Sequence, residues 1–221
     1  MDEAAFVRLV EWQIESGINF LIPCGTTGEA STLSEEEWLR VVELTVKTAA
    51  GRVPVFGGCT HNATSEAVAR AKRLAKTPGL TGILTANPYY NRPGQEGQYQ
   101  HFRAIAEAVE MPILLYNIPS RTGVNLEPAT VLRLAEIRNI IGVKESSGNV
   151  AQITELITQA PRGFKVFSGD DGMTLPVLAM MGRIEERLRL PMVPVTAATR
   201  QKLEAMLGEL ELLPAATIEA R

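Results

Sequence analysis

The amino-acid sequence contains few of the residues on which several classes of protein depend. Its 221 residues include only two cysteines and two histidines. Cys24 and Cys59 are too few for a disulfide framework and favour a reducing compartment. His61 and His101 do not have the spacing of metal ligands, so we expect no metal site.

Clusters of basic residues and long apolar runs are also missing. The formal net charge is −3, and no run of Lys or Arg forms a surface for nucleic acid or an anionic membrane. The longest apolar stretch, residues 173–181, is far shorter than the ~20 residues that a membrane helix needs. The first residues lack the basic and apolar regions of a signal peptide. We therefore expect a soluble, cytoplasmic protein that binds neither nucleic acid nor membrane.

The sequence does contain a regular alternation of strand-like and helix-like segments. Short, nearly continuous apolar runs are typical of strands in a parallel sheet that is covered on both faces. Amphipathic segments lie between them, and a capping box of Ser34 and Glu37 precedes one of these. The order predicts βαβ units in an α/β fold. The predicted strands are 18–23, 53–56, 82–85, 112–116, 140–143 and 165–167, and the predicted helices are 3–16, Glu35–Ala49, 64–76, 97–109, 127–136, Val150–Gln159, 173–189 and 196–213.

No linker interrupts the alternation, which predicts one domain. Residues 1–176 would form the (β/α) portion, and residues 177–221 a helical segment packed on the same domain. The six predicted strands are two fewer than the eight of a closed (β/α) barrel.

Polar residues follow most of the predicted strands, where each strand ends. In parallel α/β folds these ends meet at one edge, and ligands bind there. Lys144 ends the run at 140–143, where partial desolvation would lower its pKa from ~10.4 toward ~7–8. Such an amine is a nucleophile that can form a Schiff base with a carbonyl. Alternatively, an isolated lysine at a strand end extends to solvent or pairs with a neighbour such as Glu145.

The residues around Lys144 favour the catalytic interpretation. Tyr116 ends the adjacent strand and can transfer protons, and Arg121 offers a guanidinium for a carboxylate. Thr26 and Thr27 supply hydroxyls and backbone N–H groups in a turn between glycines. Together these groups suit imine chemistry on a keto acid. The glycine clusters match neither a Walker loop nor a dinucleotide fingerprint, so we expect covalent catalysis without a cofactor.

Four motifs in the sequence are specific as a set. They are Gly25-Thr26-Thr27-Gly28-Glu29, Pro88-Tyr89-Tyr90-Asn91-Arg92-Pro93, Tyr116-Asn117-Ile118-Pro119-Ser120-Arg121-Thr122-Gly123 and Gly142-Val143-Lys144-Glu145. Together they resemble the dihydrodipicolinate synthase / N-acetylneuraminate lyase family of pyruvate-dependent class I aldolases, over residues 2 to about 176. The resemblance implies a TIM (β/α)8-barrel, and a dimer of dimers that condenses pyruvate with aspartate 4-semialdehyde on the route to diaminopimelate and lysine.

The resemblance also implies a role for each motif residue. Lys144 would form the imine with pyruvate, and Tyr116 would donate and accept protons in a relay with Thr27 and Tyr90. In the family, the residue that corresponds to Tyr90 reaches across a tight dimer interface. Thr26 would hold the pyruvate carboxylate.

Two further sites in the family concern specificity and regulation. Arg121 would hold the carboxylate of aspartate semialdehyde, and it favours the synthase over the N-acetylneuraminate lyase branch, which lacks such an arginine. Tyr89, Asn62 and Glu66 fit the family's lysine-effector site only in part, since Glu35 and Trp38 stand where lysine-sensitive members often carry histidines. The resemblance therefore leaves feedback inhibition open.

The sequence departs from the family pattern in two places. The family's first strand is absent before residue 2, and after residue 179 the chain passes to residues that resemble a much later family helix. We therefore expect an incomplete barrel without its first and eighth strands, with exposed sheet edges. Two interpretations follow: an active aldolase, or a catalytically impaired remnant that acts only by association with full-length relatives.

Overall fold

The computed structural model describes residues 1–169 and positions 197 and 201, both helical. The predicted helix 173–189, most of 196–213 and the predicted boundary at 176/177 lie outside these residues. The strands are β1 (Phe56–Gly58), β2 (Gly82–Ala86), β3 (Ile113–Asn117), β4 (Ile140–Glu145) and β5 (Lys165–Ser168). The helices are α1 (Glu3–Glu15), α2 (Glu35–Ala49), α3 (Thr64–Leu74), α4 (Gln95–Ala108), α5 (Pro119–Thr122), α6 (Pro128–Ala135) and α7 (Val150–Gln159), with a 3-10 turn at Ala30–Thr32.

The five strands form one parallel sheet in sequence order, β1-β2-β3-β4-β5. At least one helix follows each of the first four strands, which confirms the predicted βαβ units. The carboxyl ends of all five strands therefore lie at one edge.

The segment predicted as the first strand lies beside β1 but pairs with it more briefly than expected. Leu21 forms an isolated parallel bridge with Val55, and the Gly58 N–H donates to the Pro23 carbonyl. The Leu21 N–H donates to the Pro54 carbonyl and the Phe56 N–H to the Leu21 carbonyl, but regular pairing stops on either side, because neither Pro23 nor Pro54 has an N–H to donate. The six predicted runs thus become five strands and one bridged segment.

The helix that begins at Glu35 confirms the predicted capping box. The Ser34 hydroxyl accepts from the Glu37 N–H at 3.2 Å, and the Glu37 carboxylate accepts from the Ser34 N–H at 3.0 Å. These bonds satisfy two donors that a helix start leaves open.

Apolar side chains cover both faces of the sheet. In β3, Ile113 and Leu115 pack in the core beneath the helices, whereas Leu114 and Tyr116 belong to the cluster on the opposite face. This alternation explains the nearly continuous apolar runs in the sequence. Among the described helices, none is both long and apolar enough to cross a bilayer.

Candidate active site

Lys144 and Tyr116 lie side by side at the carboxyl edge of the sheet. They are direct partners in the β3–β4 register, and the Lys144 Nζ lies 4.5 Å from the centre of the Tyr116 ring. Tyr116 is buried, with 3% of its surface exposed, and Lys144 is half-buried. The structure therefore brings together the predicted imine lysine and its predicted proton donor.

Gly169, one residue beyond β5, leaves room for the Lys144 side chain. A methyl group at Gly169 would lie 2.5 Å from the Lys144 Cε, well inside van der Waals contact. The Gly169 N–H also donates to the Glu145 carbonyl at 3.0 Å. Only glycine at this position permits the observed course of the lysine stem.

Thr26 and Thr27 lie in an exposed turn that follows the bridged segment. The Gly28 N–H donates to the Gly25 carbonyl at 3.1 Å and closes the turn. Between described residues, no hydrogen bond joins Thr27 to Tyr116 or Tyr90. The relay therefore stays a prediction.

An open cleft of about 560 Å3 brings together Tyr90 and Arg121. Tyr90 projects into solvent, with 88% of its surface exposed. Arg92 contributes a second guanidinium, which packs against Gly123. Two guanidinium groups make the cleft suitable for an anionic ligand. It is lined by Tyr89, Tyr90, Arg92, Ser120, Arg121, Thr122 and Gly123.

Arg92 belongs to one of the four motifs, but the resemblance assigns it no role. Its position between Asn91 and Pro93, in the same motif as the two tyrosines, was the available signal. The structure shows that this loop and α5 share one cleft.

Two of the three candidate effector residues are joined through this loop by hydrogen bonds. The Asn62 side-chain amide donates to the Asn91 side-chain Oδ1 at 3.3 Å, and the Asn91 backbone N–H donates to the Tyr89 carbonyl at 2.8 Å. Glu66 lies in the first turn of α3 and is exposed. Asn62 and Tyr89 are thus linked through Asn91.

A group of buried and half-buried amides lies around Glu145 on the helix-covered face. We call Asn117, Asn125, Glu145 and Gln152 the amide network. The Asn117 amide donates to both Glu145 oxygens, at 3.2 and 3.0 Å, and the Gln152 amide donates to one of them at 3.2 Å. From the sequence, Glu145 was predictable only as a partner of Lys144, because polar residues at strand ends give no signal of the face they occupy.

The two cysteines are buried rather than reactive. Burial raises the pKa of the Cys24 thiol and that of the Cys59 thiol to about 12. Both side chains pack as small apolar residues of the core. Within residues 1–169 and positions 197 and 201, no group of three or more His, Cys, Asp or Glu side chains could hold a metal ion.

The parallel (β/α) sheet, with a lysine and a tyrosine paired at its carboxyl edge, defines a protein of the TIM-barrel type. The family model described as the dihydrodipicolinate synthetase family matches residues 1–184. The chain belongs to this family.

The 4-hydroxy-tetrahydrodipicolinate synthase of Acidobacterium capsulatum is 48% identical over 275 residues, covering 96% of this chain and 91% of the relative. The alignment is longer than the 221-residue chain, so it includes positions that this chain lacks. This agrees with the predicted loss of an internal segment.

Two solved structures of dihydrodipicolinate synthases are similar to this chain throughout the fold. The chloride-inhibited enzyme from Acinetobacter baumannii, complexed with pyruvate, has a TM-score of 0.91 and 34% identity, covering 96% of this chain and 94% of that chain. The enzyme from Cyanidioschyzon merolae with lysine bound has a TM-score of 0.90 and 30% identity, covering 96% and 93% respectively.

Proposed function

We propose that the chain is a pyruvate-dependent lyase that condenses pyruvate with L-aspartate 4-semialdehyde to give 4-hydroxy-tetrahydrodipicolinate, in lysine and diaminopimelate biosynthesis. The observation that carries this proposal is the pairing of Lys144 with Tyr116 at the carboxyl edge. The relative from Acidobacterium capsulatum bears the name of this activity, and the one from Acinetobacter baumannii is complexed with pyruvate.

The chemistry begins with attack of the Lys144 amine on the C2 carbonyl of pyruvate. The resulting carbinolamine loses water to give an imine, and loss of a C3 proton then gives an enamine. The enamine carbon attacks the aldehyde of the second substrate and forms the new C–C bond. The amine of that substrate then displaces Lys144 as it closes the ring, which regenerates the enzyme.

Tyr116 supplies the proton transfers at these steps, since the Lys144 Nζ lies 4.5 Å from the centre of its ring. Thr27 and Tyr90 complete the relay, and Thr26 holds the pyruvate carboxylate. The Thr26–Thr27 turn supports this assignment because its hydroxyls and N–H groups are exposed at the end of the bridged segment.

Arg121 binds the carboxylate of the second substrate. Its position in a cleft with Arg92 supports this role and favours the synthase over a related N-acetylneuraminate lyase activity. Tyr89, Asn62 and Glu66 form a candidate lysine-effector site, and the Cyanidioschyzon merolae relative has lysine bound.

The active form is a homo-oligomer, arranged as a dimer of dimers. The 88% exposure of Tyr90 supports this arrangement, because a large aromatic side chain this exposed is a frequent interface residue. The two buried free cysteines suit the reducing conditions of the cytoplasm, where we place the protein.

Borohydride trapping with pyruvate, followed by peptide mass mapping, tests the function directly. We expect a reduced pyruvate adduct on Lys144 that is absent from Lys144→Ala. Lys165→Ala is the matched control, because Lys165 is an exposed lysine on the neighbouring strand β5 and should leave the adduct unchanged. Folded protein without an adduct would instead support the impaired remnant.

A further inference from the structure

The last two residues of β3 and β4 point their side chains to opposite faces of the sheet. Tyr116 pairs with Lys144 on the face away from the helices, and Asn117 pairs with Glu145 on the helix-covered face. Asn117 is fully buried and Glu145 is 2% exposed. The reactive pair therefore lies one residue from a buried polar pair.

Among the described residues, every hydrogen-bond partner of the Glu145 carboxylate is an N–H donor. One oxygen accepts from the Ser147 N–H at 2.6 Å and from the Asn117 amide at 3.2 Å. The other accepts from the same amide at 3.0 Å and from Gln152 at 3.2 Å. An ionised carboxylate accepts at both oxygens, so this set of donors matches its chemistry.

The amide network ties together the elements that surround the site. Asn117 ends β3, Glu145 ends β4, Gln152 lies on α7, and Asn125 lies just before α6. Asn125 and Gln152 exchange side-chain hydrogen bonds at 2.8 and 3.2 Å. Their bonds fix the β4–α7 turn relative to β3.

We propose that Glu145 is a positioning residue that holds Lys144 opposite Tyr116. Side chains alternate along a strand, so fixing the Glu145 carboxylate on one face fixes the direction of the Lys144 side chain on the other. The Ser146 N–H donates to the Asn117 carbonyl at 2.8 Å and extends the same register beyond the strand end. This role rests on the proposed function, since the group that Glu145 positions is the imine lysine.

Glu145→Gln separates this role from simple filling of space. The substitution keeps the shape of the side chain but turns one acceptor into a donor that faces the Gln152 amide. A second substitution, Gln152→Glu, restores an acceptor at that contact. The double variant has a carboxylate and an amide in exchanged positions and regains their mutual hydrogen bond. Recovery is expected to be partial, because the Asn117 amide still faces a donor at position 145 and the Leu126 carbonyl loses the donor at position 152.

The experiment compares the rate of pyruvate trapping on Lys144 in the full chain, per folded molecule. We expect Glu145→Gln to slow trapping on the order of 10²-fold, as for a displacement of about 1 Å. The double variant should recover at least a tenth of the original rate. Glu155→Gln, the same change at an exposed position on α7, should have no effect.

Thermal unfolding and crystal structures of the same variants complete the test. A merely structural Glu145 would lower the melting temperature without changing the trapping rate of the folded fraction, and that outcome would overturn the proposal. If the unmodified chain traps no pyruvate, the proposed function is wrong. The crystal structures then test by themselves whether Glu145 positions Lys144. The proposal then requires the Lys144 Nζ to leave the Tyr116 ring in Glu145→Gln and to return in the double variant.

Discussion

His101 gives the protein a predictable dependence of stability on pH. The ring is 3% exposed, and its Nδ1 lies 2.9 Å from the Thr64 hydroxyl. Burial, and to a smaller extent the charge of His61, lowers the pKa of His101 to about 4. The unfolded chain, with a histidine pKa near ~6.5, therefore binds a proton in a range where the folded chain does not.

Protonation of His101 in the unfolded chain therefore lowers the stability of the folded chain at acidic pH. The stability is unaffected well above pH 6.5 and is lost progressively as the pH falls toward 4. Between pH 7 and pH 5 the loss amounts to about 2 kcal/mol. Urea unfolding at the two pH values should show a smaller loss of the free energy of unfolding in His101→Gln than in the unmodified chain. His61→Gln should keep most of the loss, because burial is the larger cause. Equal pH dependence in all three proteins would show that His101 is not the group responsible.

The two principal site residues were predictable, but the network behind them was not. Lys144 and Tyr116 end neighbouring apolar runs, and parallel pairing brings the ends of such runs together. Glu145 and Asn117 also end those runs, yet nothing in the sequence distinguishes a buried polar pair from a solvated one. Their role depends on Gln152, whose contact becomes visible only once α7 packs on the sheet.

The turn that carries Thr26 and Thr27 is held in place by the last residue of β1. A methyl group at Gly58 would overlap the Cys24 carbonyl, and the Gly58 N–H donates to the Pro23 carbonyl at 2.9 Å. At this close approach of two backbone segments, only glycine fits.

Gly58→Ala should displace the turn and lower the free energy of unfolding by about 1–3 kcal/mol. Gly25→Ala is the matched control, because its methyl group would meet Ile22 only at an ordinary 3.9 Å and should change the stability by less than about 0.5 kcal/mol. Chemical denaturation measures both changes. If the two variants are equally stable, Gly58 does not constrain the turn.

At the level of elements, the predicted and observed bounds agree best where residues close in sequence determine them. The α2 helix has the predicted bounds because its capping box depends on residues three apart. The segment at 18–23 differs because its pairing depends on distant residues, among them Pro54. Hydrophobic pattern identified the segment, but only the tertiary contact determines how many residues pair.

For the whole molecule, the arrangement of subunits decides whether the relay can be complete. Lys144 and Tyr116 belong to one chain, and Tyr90 projects from that chain into solvent. If Tyr90 serves the site of a second copy, as we propose, two variants that are each inactive can complement one another.

An equal mixture of Lys144→Ala and Tyr90→Phe chains, allowed to exchange subunits, tests this arrangement. In a mixed dimer one site combines an intact Lys144 with an intact Tyr90 from the partner, so about a quarter of all sites should be active. A mixture of Lys144→Ala with Tyr116→Phe should stay inactive, because those residues act in the same chain. Assays of aldol product formation before and after mixing provide the measurement. No gain in the first mixture, despite exchange verified by mass spectrometry, would place the action of Tyr90 within its own chain.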